Sequence, residues 1–464
     1  MAWSTDEILA ATGGNLIRKG KQTRFGEIVT DSSKVKKGSV FVALRGARLD
    51  GHRFIGAAAR RGAHCIVVHR ASRGSQVGSV AVVRVPDTLR ALGDLAHYRR
   101  EQFAPKVLAI TGSNGKTTTK EMVAAILENA SFNGAPLAGK VLKTEGNFNN
   151  LVGLPLTLLR LRKRDAVAVV ELGTNCPGEI ERLAEIADPN MGMITSVAAA
   201  HLEGLTSLAG VAREKGALYH KVRADGTIAV NLEDSWVRRL GAQFKGRKIT
   251  YGARGQVRAE SWRYLGAKGM LVVLRAGRRT TRVRLNFLGR HNITNAVGAA
   301  ALAYGLGVNL TAIRRGLETA KPFPMRMQIA DWNGIGIIND AYNANPASME
   351  AAVKALAEIE CAGEKIAVLG DMFELGAQTR REHLRLGKRV AKARLDRLYL
   401  LGSQAAQVRK GAVEEGMPSD RVIIGKDHGE LAERLRTHVK KGDWLLFKGS
   451  RGMKMEKVLL GLKG

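Results

Sequence analysis

The chain has 464 residues, 45% apolar and 25% charged, a size and balance that suit two to four globular domains. Its formal net charge of +32 would attract anions, but the basic residues are scattered as pairs such as Arg60-Arg61, Arg238-Arg239 and Lys440-Lys441. Aromatic residues are only 5%, so no basic and aromatic surface of the kind that stacks RNA bases is indicated, and the charge reads as a solvated basic bias with no specific nucleic acid as partner.

The first hundred residues predict a small α/β unit. Strands are expected at Ser39–Leu44, Cys65–Val68 and Val80–Val83, and helices at His52–Arg61 and Thr88–Gln102, with Pro105 as a boundary. From residue 106 to 319 short unbroken apolar runs alternate with helical patterns. Val107–Thr111, Ala166–Leu172, Met191–Val197 and Thr227–Asn231 have strand length and suit parallel strands covered on both faces. Thr117–Leu127, Ile180–Ala187 and Leu208–Tyr219 read as the intervening helices, and Ser261–Arg284 alternates like antiparallel strands added at an edge. After Pro322-Phe323-Pro324 the alternation restarts, with strands expected at Gly336–Asn339, Ile366–Leu369, Leu398–Leu401, Val422–Ile424 and Trp444–Phe447. The fold class is therefore α/β with three domains, 1–103, 104–320 and 321–464, the last two Rossmann-like in layout.

No apolar run is long enough to cross a membrane, so no membrane insertion is expected. The start, Met1-Ala2-Trp3-Ser4-Thr5-Asp6-Glu7, carries acid where a signal peptide carries base, which points to the cytoplasm. Cys65, Cys176 and Cys361 are odd in number and lack CxxC spacing, as expected of reduced thiols, and the ten histidines form no zinc-type run.

The strand Val107–Thr111 runs into Gly112-Ser113-Asn114-Gly115-Lys116-Thr117-Thr118-Thr119 and then a helix. Glycines let the backbone turn so that N–H groups face a phosphate, the helix N-terminus adds partial positive charge, and Lys116 adds a full one. The Thr117 hydroxyl can ligate Mg²⁺. The spacing, GxxGKT, is two residues shorter than the usual GxxxxGK[ST]; the plain alternative is a glycine-rich turn capping a helix. A magnesium ion also needs oxygen ligands at neighbouring strand ends. Glu171 closes one apolar strand, and His201 follows another; a helix cap and a structural histidine are the alternatives. Asn147-Phe148-Asn149-Asn150 reads as a turn and Gly289-Arg290-His291-Asn292-xx-Asn295 as a helix start, while Asp340-Ala341-Tyr342-Asn343-Ala344-Asn345-Pro346 holds more polar and aromatic groups than a cap requires.

In this order, these segments resemble the Mur ligases of peptidoglycan synthesis. The more specific segments are TEGNFNNLVGLPLT (144–157), NDAYNANPASM (339–349), VLGDMFELG (368–376) and FKGSRGMKME (447–456), and these match the type that joins D-alanyl-D-alanine to a UDP-N-acetylmuramoyl-tripeptide. The resemblance implies an N-terminal UDP-substrate domain, a central ATP-binding domain and a C-terminal ligase domain, with a hinge at Pro322–Pro324. It implies ATP and two magnesium ions as cofactors and a monomeric, cytoplasmic enzyme that works through an acyl phosphate. By matching position, Lys116 and Thr117 would hold phosphates and magnesium. Glu171 and His201 would be metal ligands, and Lys215 would be the lysine that, once carbamylated, ligates the second ion; an ordinary helix-surface lysine is the alternative. Asn292 and Asn295 fall on the adenine side, and Arg326, Asp340 and Tyr342 on the ATP side contributed by the last domain. Asp31, Ser32, Gly46, Asp50, His52, Asn147 and Asn149 fall on the UDP-substrate side, and Asn343, Asn345, Lys448 and Ser450 on the dipeptide side. Ser196, Ala198 and Gly452 depart from the family pattern. A ligase adding a single amino acid, or a nucleic-acid-stimulated ATPase, are the competing readings.

Overall fold

A computed structural model describes residues 3–46, 49–70, 78–132, 134–266 and 268–464. Residues 47 and 48 of the Gly46–His52 loop, and Met1-Ala2 of the start, lie outside them. The chain divides into two compact units. One comprises Met1–Ala109, Leu142–Gly173 and Glu179–Pro189; the other comprises Ile110–Val141, Thr174–Gly178 and Asn190–Gly464. Among the described residues, no helix is long and apolar enough to cross a membrane.

The first unit is built on a five-stranded sheet. Its order is Asn15–Arg18, Ala81–Arg84, Cys65–Val68, Val40–Val42 and Ile28–Val29, antiparallel at the first pair and parallel thereafter. Cys65–Val68 is buried along its whole length because apolar layers cover both faces: Val40, Val42, Val67 and Leu92 on one side, Phe41, Ile66, Ile55 and Val82 on the other. The helix Thr5–Thr12 starts in a reciprocal Ser4–Glu7 capping box and ends at left-handed Gly13. The expected helix at residues 52–61 begins instead as a 3₁₀ turn, Gly51–Phe54, capped by Asp50, and becomes α-helical only over Ile55–Arg60. Thr88–Phe103, capped by Asp87, packs on Glu179–Ala187 so closely that a Cβ at Gly93 would lie 2.7 Å from Ile186 Cδ1. Here Arg100 Nη2 donates to Asp188 O at 2.8 Å.

In the second unit, Met191–Ile194, Thr227–Asn231, Arg247–Tyr251 and Val257–Tyr264 pair in parallel in turn, and Met270–Ala276 and Arg279–Leu285 then add antiparallel. The strand expected at 191–197 thus stops at Ile194, and residues 195–200 form the loop behind the glycine-rich turn. The helix Lys116–Glu128 packs on Arg290–Gly305 and Leu310–Thr319. Farther along, a six-stranded sheet runs Gln328–Trp332, Ile335–Asp340, Trp444–Lys448, Lys365–Gly370, Arg397–Leu401 and Val422–Ile424. Only its first pair is antiparallel. Separate apolar layers cover its two faces, one around Ile338, Leu356, Leu369 and Leu446, the other around Ile337, Val368, Leu435 and Phe447. The carboxyl ends of its central strands carry Asp340, Lys448 and Asp371, where ligands bind in open parallel sheets.

Candidate active site

The glycine-rich turn takes its shape from two left-handed glycines, Gly112 (φ 146°) and Gly115 (φ 81°). A side chain at Gly112 would overlap Thr195, and one at Gly115 would overlap Asn295. The turn is fastened from behind. Ser113 N–H donates to Ser196 O at 2.8 Å, Asn114 N–H to Ser196 Oγ at 3.2 Å, and Ser113 Oγ both donates to Ala198 O and accepts from Ala198 N. Ser196 and Ala198, two of the three residues that depart from the family pattern, thus hold the turn. It follows that the amides of Ser113 and Asn114 serve the protein rather than facing a phosphate, contrary to the sequence expectation for the loop as a whole. At the first turn of Lys116–Glu128, whose leading N–H groups have no intrahelical partner, Lys116 Nζ arches back to donate to Gly112 O at 2.6 Å.

Asn292 and Asn295 reinforce this turn. Asn292 is buried, its amide donating to Leu288 O at 2.8 Å and its Oδ1 accepting from Asn295 Nδ2 at 2.9 Å. Lys215 is 1% exposed. Burial first, then the nearby charge of Lys116, push its amine well below the usual lysine range, with Glu214 opposing. Its neighbour Glu214 is occupied by Thr174 Oγ1 at 3.1 Å and Gly178 N at 2.7 Å.

Across from the turn stand residues of the six-stranded sheet. Parallel pairing sets Asp340 beside Lys448, and Lys448 Nζ reaches Asp340 Oδ2 at 2.6 Å and donates to Asn343 O at 2.9 Å. Asn345 caps the helix Pro346–Ala357 through Ser348 N and donates its amide to Asn114 Oδ1 at 2.9 Å. Ser450 Oγ accepts from Phe373 N at 2.8 Å. Arg326 lies between two non-glycine residues in left-handed geometry, Met325 and Met327, and its guanidinium stacks on Tyr342 at 4.1 Å. Its Nε is buried with no hydrogen-bond partner among the described residues. A buried guanidinium N–H without a protein acceptor suits an anionic ligand.

These groups line one cavity of about 460 Å³, within the range of small-molecule sites. Lys116, Thr117 and Thr118 line it, as do Asn295, Arg326, Asp340, Tyr342, Lys448 and Ser450. His201 does too, with its Nδ1 2.6 Å from Glu374 Oε2. Sequence reasoning had not singled out His291, Phe373 or Glu374, which also line the cavity. His291 was signalled only by its place beside Asn292; burial, with Lys448 adding to it, pushes its imidazole down to about 4 against the opposing pull of Asp340.

In the first unit Glu171 is buried, accepts from Asn149 Nδ2 at 2.9 Å, and has its N–H on Thr144 Oγ1 at 3.0 Å. Asn147 is exposed, its carbonyl accepting from Asn149 N. Asp31 caps the short turn Ser32–Lys34 through Ser33. Asp50 accepts from His52 N, His52 Nδ1 and Arg70 Nη2. His52 Nε2 in turn accepts from His69 N at 3.2 Å, so the ring is neutral with its proton on Nδ1. Gly46 N–H closes the loop onto Leu49 O at 2.8 Å.

For magnesium, no group of three or more His, Cys, Asp or Glu side chains gathers among the described residues. Of the donors the resemblance implies, the Thr117 hydroxyl and the His201 imidazole line the cavity, Lys215 is buried in the same unit, and Glu171 is a buried carboxylate of the first unit. Hydroxyl and carboxylate oxygens are the donors that magnesium takes.

Three family descriptions match the chain in order: Mur ligase family, catalytic domain, over residues 24–100; Mur ligase middle domain over 110–303; and Mur ligase, glutamate ligase domain, over 325–451. The chain is 35% identical over 453 residues to the UDP-N-acetylmuramoyl-tripeptide–D-alanyl-D-alanine ligase of Escherichia coli (strain K12), covering 96% of this chain and 95% of that protein. The chain belongs to the Mur ligase family. The three-domain α/β architecture of this Mur ligase also matches solved structures. A MurF structure from Acinetobacter baumannii superposes with a TM-score of 0.91 at 34% identity, covering 100% of this chain and 99% of that one. A MurF ligase from Thermotoga maritima in complex with ADP gives 0.83 at 29% identity, covering 94% and 97%.

Proposed function

We infer that this chain is an ATP-dependent ligase that joins D-alanyl-D-alanine to a UDP-N-acetylmuramoyl-tripeptide in cytoplasmic peptidoglycan precursor synthesis, acting as a monomer. The supporting observation is the single cavity in which the glycine-rich turn and Lys116 face the Arg326–Tyr342 stack and the Asp340–Lys448 pair. The relatives' names and the ADP complex of a relative point the same way. The domain division 1–103, 104–320 and 321–464 remains our proposal; the three family matches fall inside those bounds.

A carboxylate carbon is too poor an electrophile for an amine at neutral pH. A carboxylate oxygen of the tripeptide attacks the γ-phosphorus, a new O–P bond forms, the β,γ-bridging bond breaks, and ADP departs. The amine of the dipeptide then attacks the acyl carbon, and the tetrahedral intermediate collapses by expelling phosphate while the amine loses a proton. Lys116 and the helix N-terminus stabilise negative charge on the moving phosphoryl group. Arg326 and Asp340 orient the nucleotide, and Asn292 and Asn295 brace its adenine side. Asn343, Asn345, Lys448 and Ser450 face the dipeptide. Asp31, Ser32, Gly46, Asp50, His52, Asn147 and Asn149 are assigned to the UDP substrate. When bound, magnesium supplies Lewis-acid stabilisation of that phosphoryl charge, held by Thr117, Glu171, His201 and carbamylated Lys215. Phosphate release from ATP and the UDP-tripeptide that depends on added D-alanyl-D-alanine tests this reading; release indifferent to the dipeptide would refute it.

A further inference from the structure

We propose that Phe373, seated over Gly452, is the wall that senses the side chain of the incoming amine substrate; this rests on the ligase reading above. Two phenyl-type rings line the cavity among the described residues, Tyr342 and Phe373. Arg326 covers the face of Tyr342. Phe373 is 46% exposed, so its ring is the aromatic surface that a ligand in the cavity can cover.

The exposure does not come from a slack loop. The backbone N–H of Phe373 donates to Ser450 Oγ at 2.8 Å, and Ser450 N–H donates to Asp371 O at 3.0 Å. On the other side, Glu374 takes a left-handed φ of 63°, accepts Leu202 N–H at its carbonyl, and binds His201 through its carboxylate. The ring itself lies where a side chain at 452 would stand: a Cβ on Gly452 would be 2.7 Å from Phe373 Cε2. The missing side chain of Gly452 therefore leaves the space that the ring occupies.

A bare ring offers dispersion and apolar contact but no hydrogen bond, so it suits a small apolar group such as the methyl of alanine. Lys116, Arg326 and Asp340 are the groups assigned above to the nucleotide, and they line the same cavity. Phe373 is tied instead to Ser450, on the side assigned to the dipeptide.

The test is steady-state kinetics of Phe373→Ala, Phe373→Leu, Gly452→Ala and the Phe373→Ala/Gly452→Ala pair, each first shown to melt like the parent enzyme. D-alanyl-D-alanine and D-alanyl-D-valine serve as amine substrates. Phe373→Ala is expected to raise KM for D-alanyl-D-alanine about 10-fold and to shrink its preference over D-alanyl-D-valine by a similar factor. KM for ATP should stay within about 2-fold, and Phe373→Leu should fall between parent and Ala. Gly452→Ala should raise the dipeptide KM in the parent but add nothing in the Phe373→Ala background, because the ring it displaces is gone. An equal rise in KM for ATP, or the same Gly452→Ala cost in both backgrounds, would overturn the proposal. Failure of the parent enzyme to use D-alanyl-D-alanine would sink the ligase reading itself; a parent that uses it alongside variants that change nothing would sink only the role of Phe373.

Discussion

His201 Nδ1 lies 2.6 Å from Glu374 Oε2, although 173 residues separate the two in the chain. The hydrogen bond from His201 holds the Glu374 carboxyl below its usual range. Backbone geometry supports the pair, since Leu202 N–H donates to Glu374 O at 3.1 Å and His201 adopts a left-handed φ of 55°. A carboxylate on one ring nitrogen fixes the tautomer and leaves Nε2 as the nitrogen that a metal can use. Glu374→Ala is therefore expected to raise the magnesium concentration for half-maximal activity by about 10–100-fold. A magnesium titration of parent and variant checks it; superimposable curves would show that the pair is only a structural tie.

The pair was not legible in the sequence, although both of its segments were. Periodicity marks buried strands at Ile366–Leu369 and Met191–Val197, the second of which stops at Ile194, but says nothing of which loops meet beyond their ends. Strands flanked by charge were missed for a related reason. Arg247–Tyr251 opens with Arg-Lys, and Gln328–Trp332 is an edge strand with mixed exposure, so neither presents an unbroken apolar run. The helix Thr5–Thr12 was overlooked despite its Ser4–Glu7 capping box, because its apolar face is short. Lys116, Asn295, Asp340 and Lys448 all line one cavity; Lys116 and Asp340 stand out in the sequence because they sit at a helix start and a strand end, whereas Asn295 and Lys448 are picked out only by the resemblance.

Lys116→Ala should lower phosphoryl transfer by at least about 10²–10³-fold, the usual cost of removing one group that stabilises transition-state charge. The side chain is half-buried and its Nζ meets a backbone carbonyl, so the melting temperature should barely move. Single-turnover ADP formation together with a thermal melt checks both; near-normal transfer would remove the loop from the phosphate site.

Lys215→Ala should be inactive and should regain activity with millimolar formate or acetate, which replace a carbamate oxygen donor. Burial first, then the charge of Lys116, lower the Lys215 amine well below the usual lysine range, which favours the uncharged form that adds CO₂. Mass spectrometry under bicarbonate should also find a labile added CO₂ at Lys215 in the parent. Activity of Lys215→Ala without any added acid would contradict the carbamate.

His291 gives a pH signature in stability. Its folded value of about 4 lies below the ordinary 6.5, so the unfolded chain binds the extra proton between these values. Its contribution is complete above about pH 6.5 and is lost as pH falls toward 4, with a slope of at most about 1.4 kcal/mol per pH unit. Urea unfolding of parent and His291→Gln between pH 7 and 4 should show a shallower loss in the variant. Parallel curves would mean that the ring is not held neutral.

The cavity is proposed to activate a peptide carboxylate for attack by D-alanyl-D-alanine. The most direct measurement is product mass after incubation with ATP, magnesium, a UDP-N-acetylmuramoyl-tripeptide and one amine at a time: D-alanyl-D-alanine, diaminopimelate or lysine. The expected product is heavier by one D-alanyl-D-alanine less water, with stoichiometric ADP and phosphate, and no adduct forms with the single amino acids. Ligation of diaminopimelate or lysine with none of the dipeptide would contradict it.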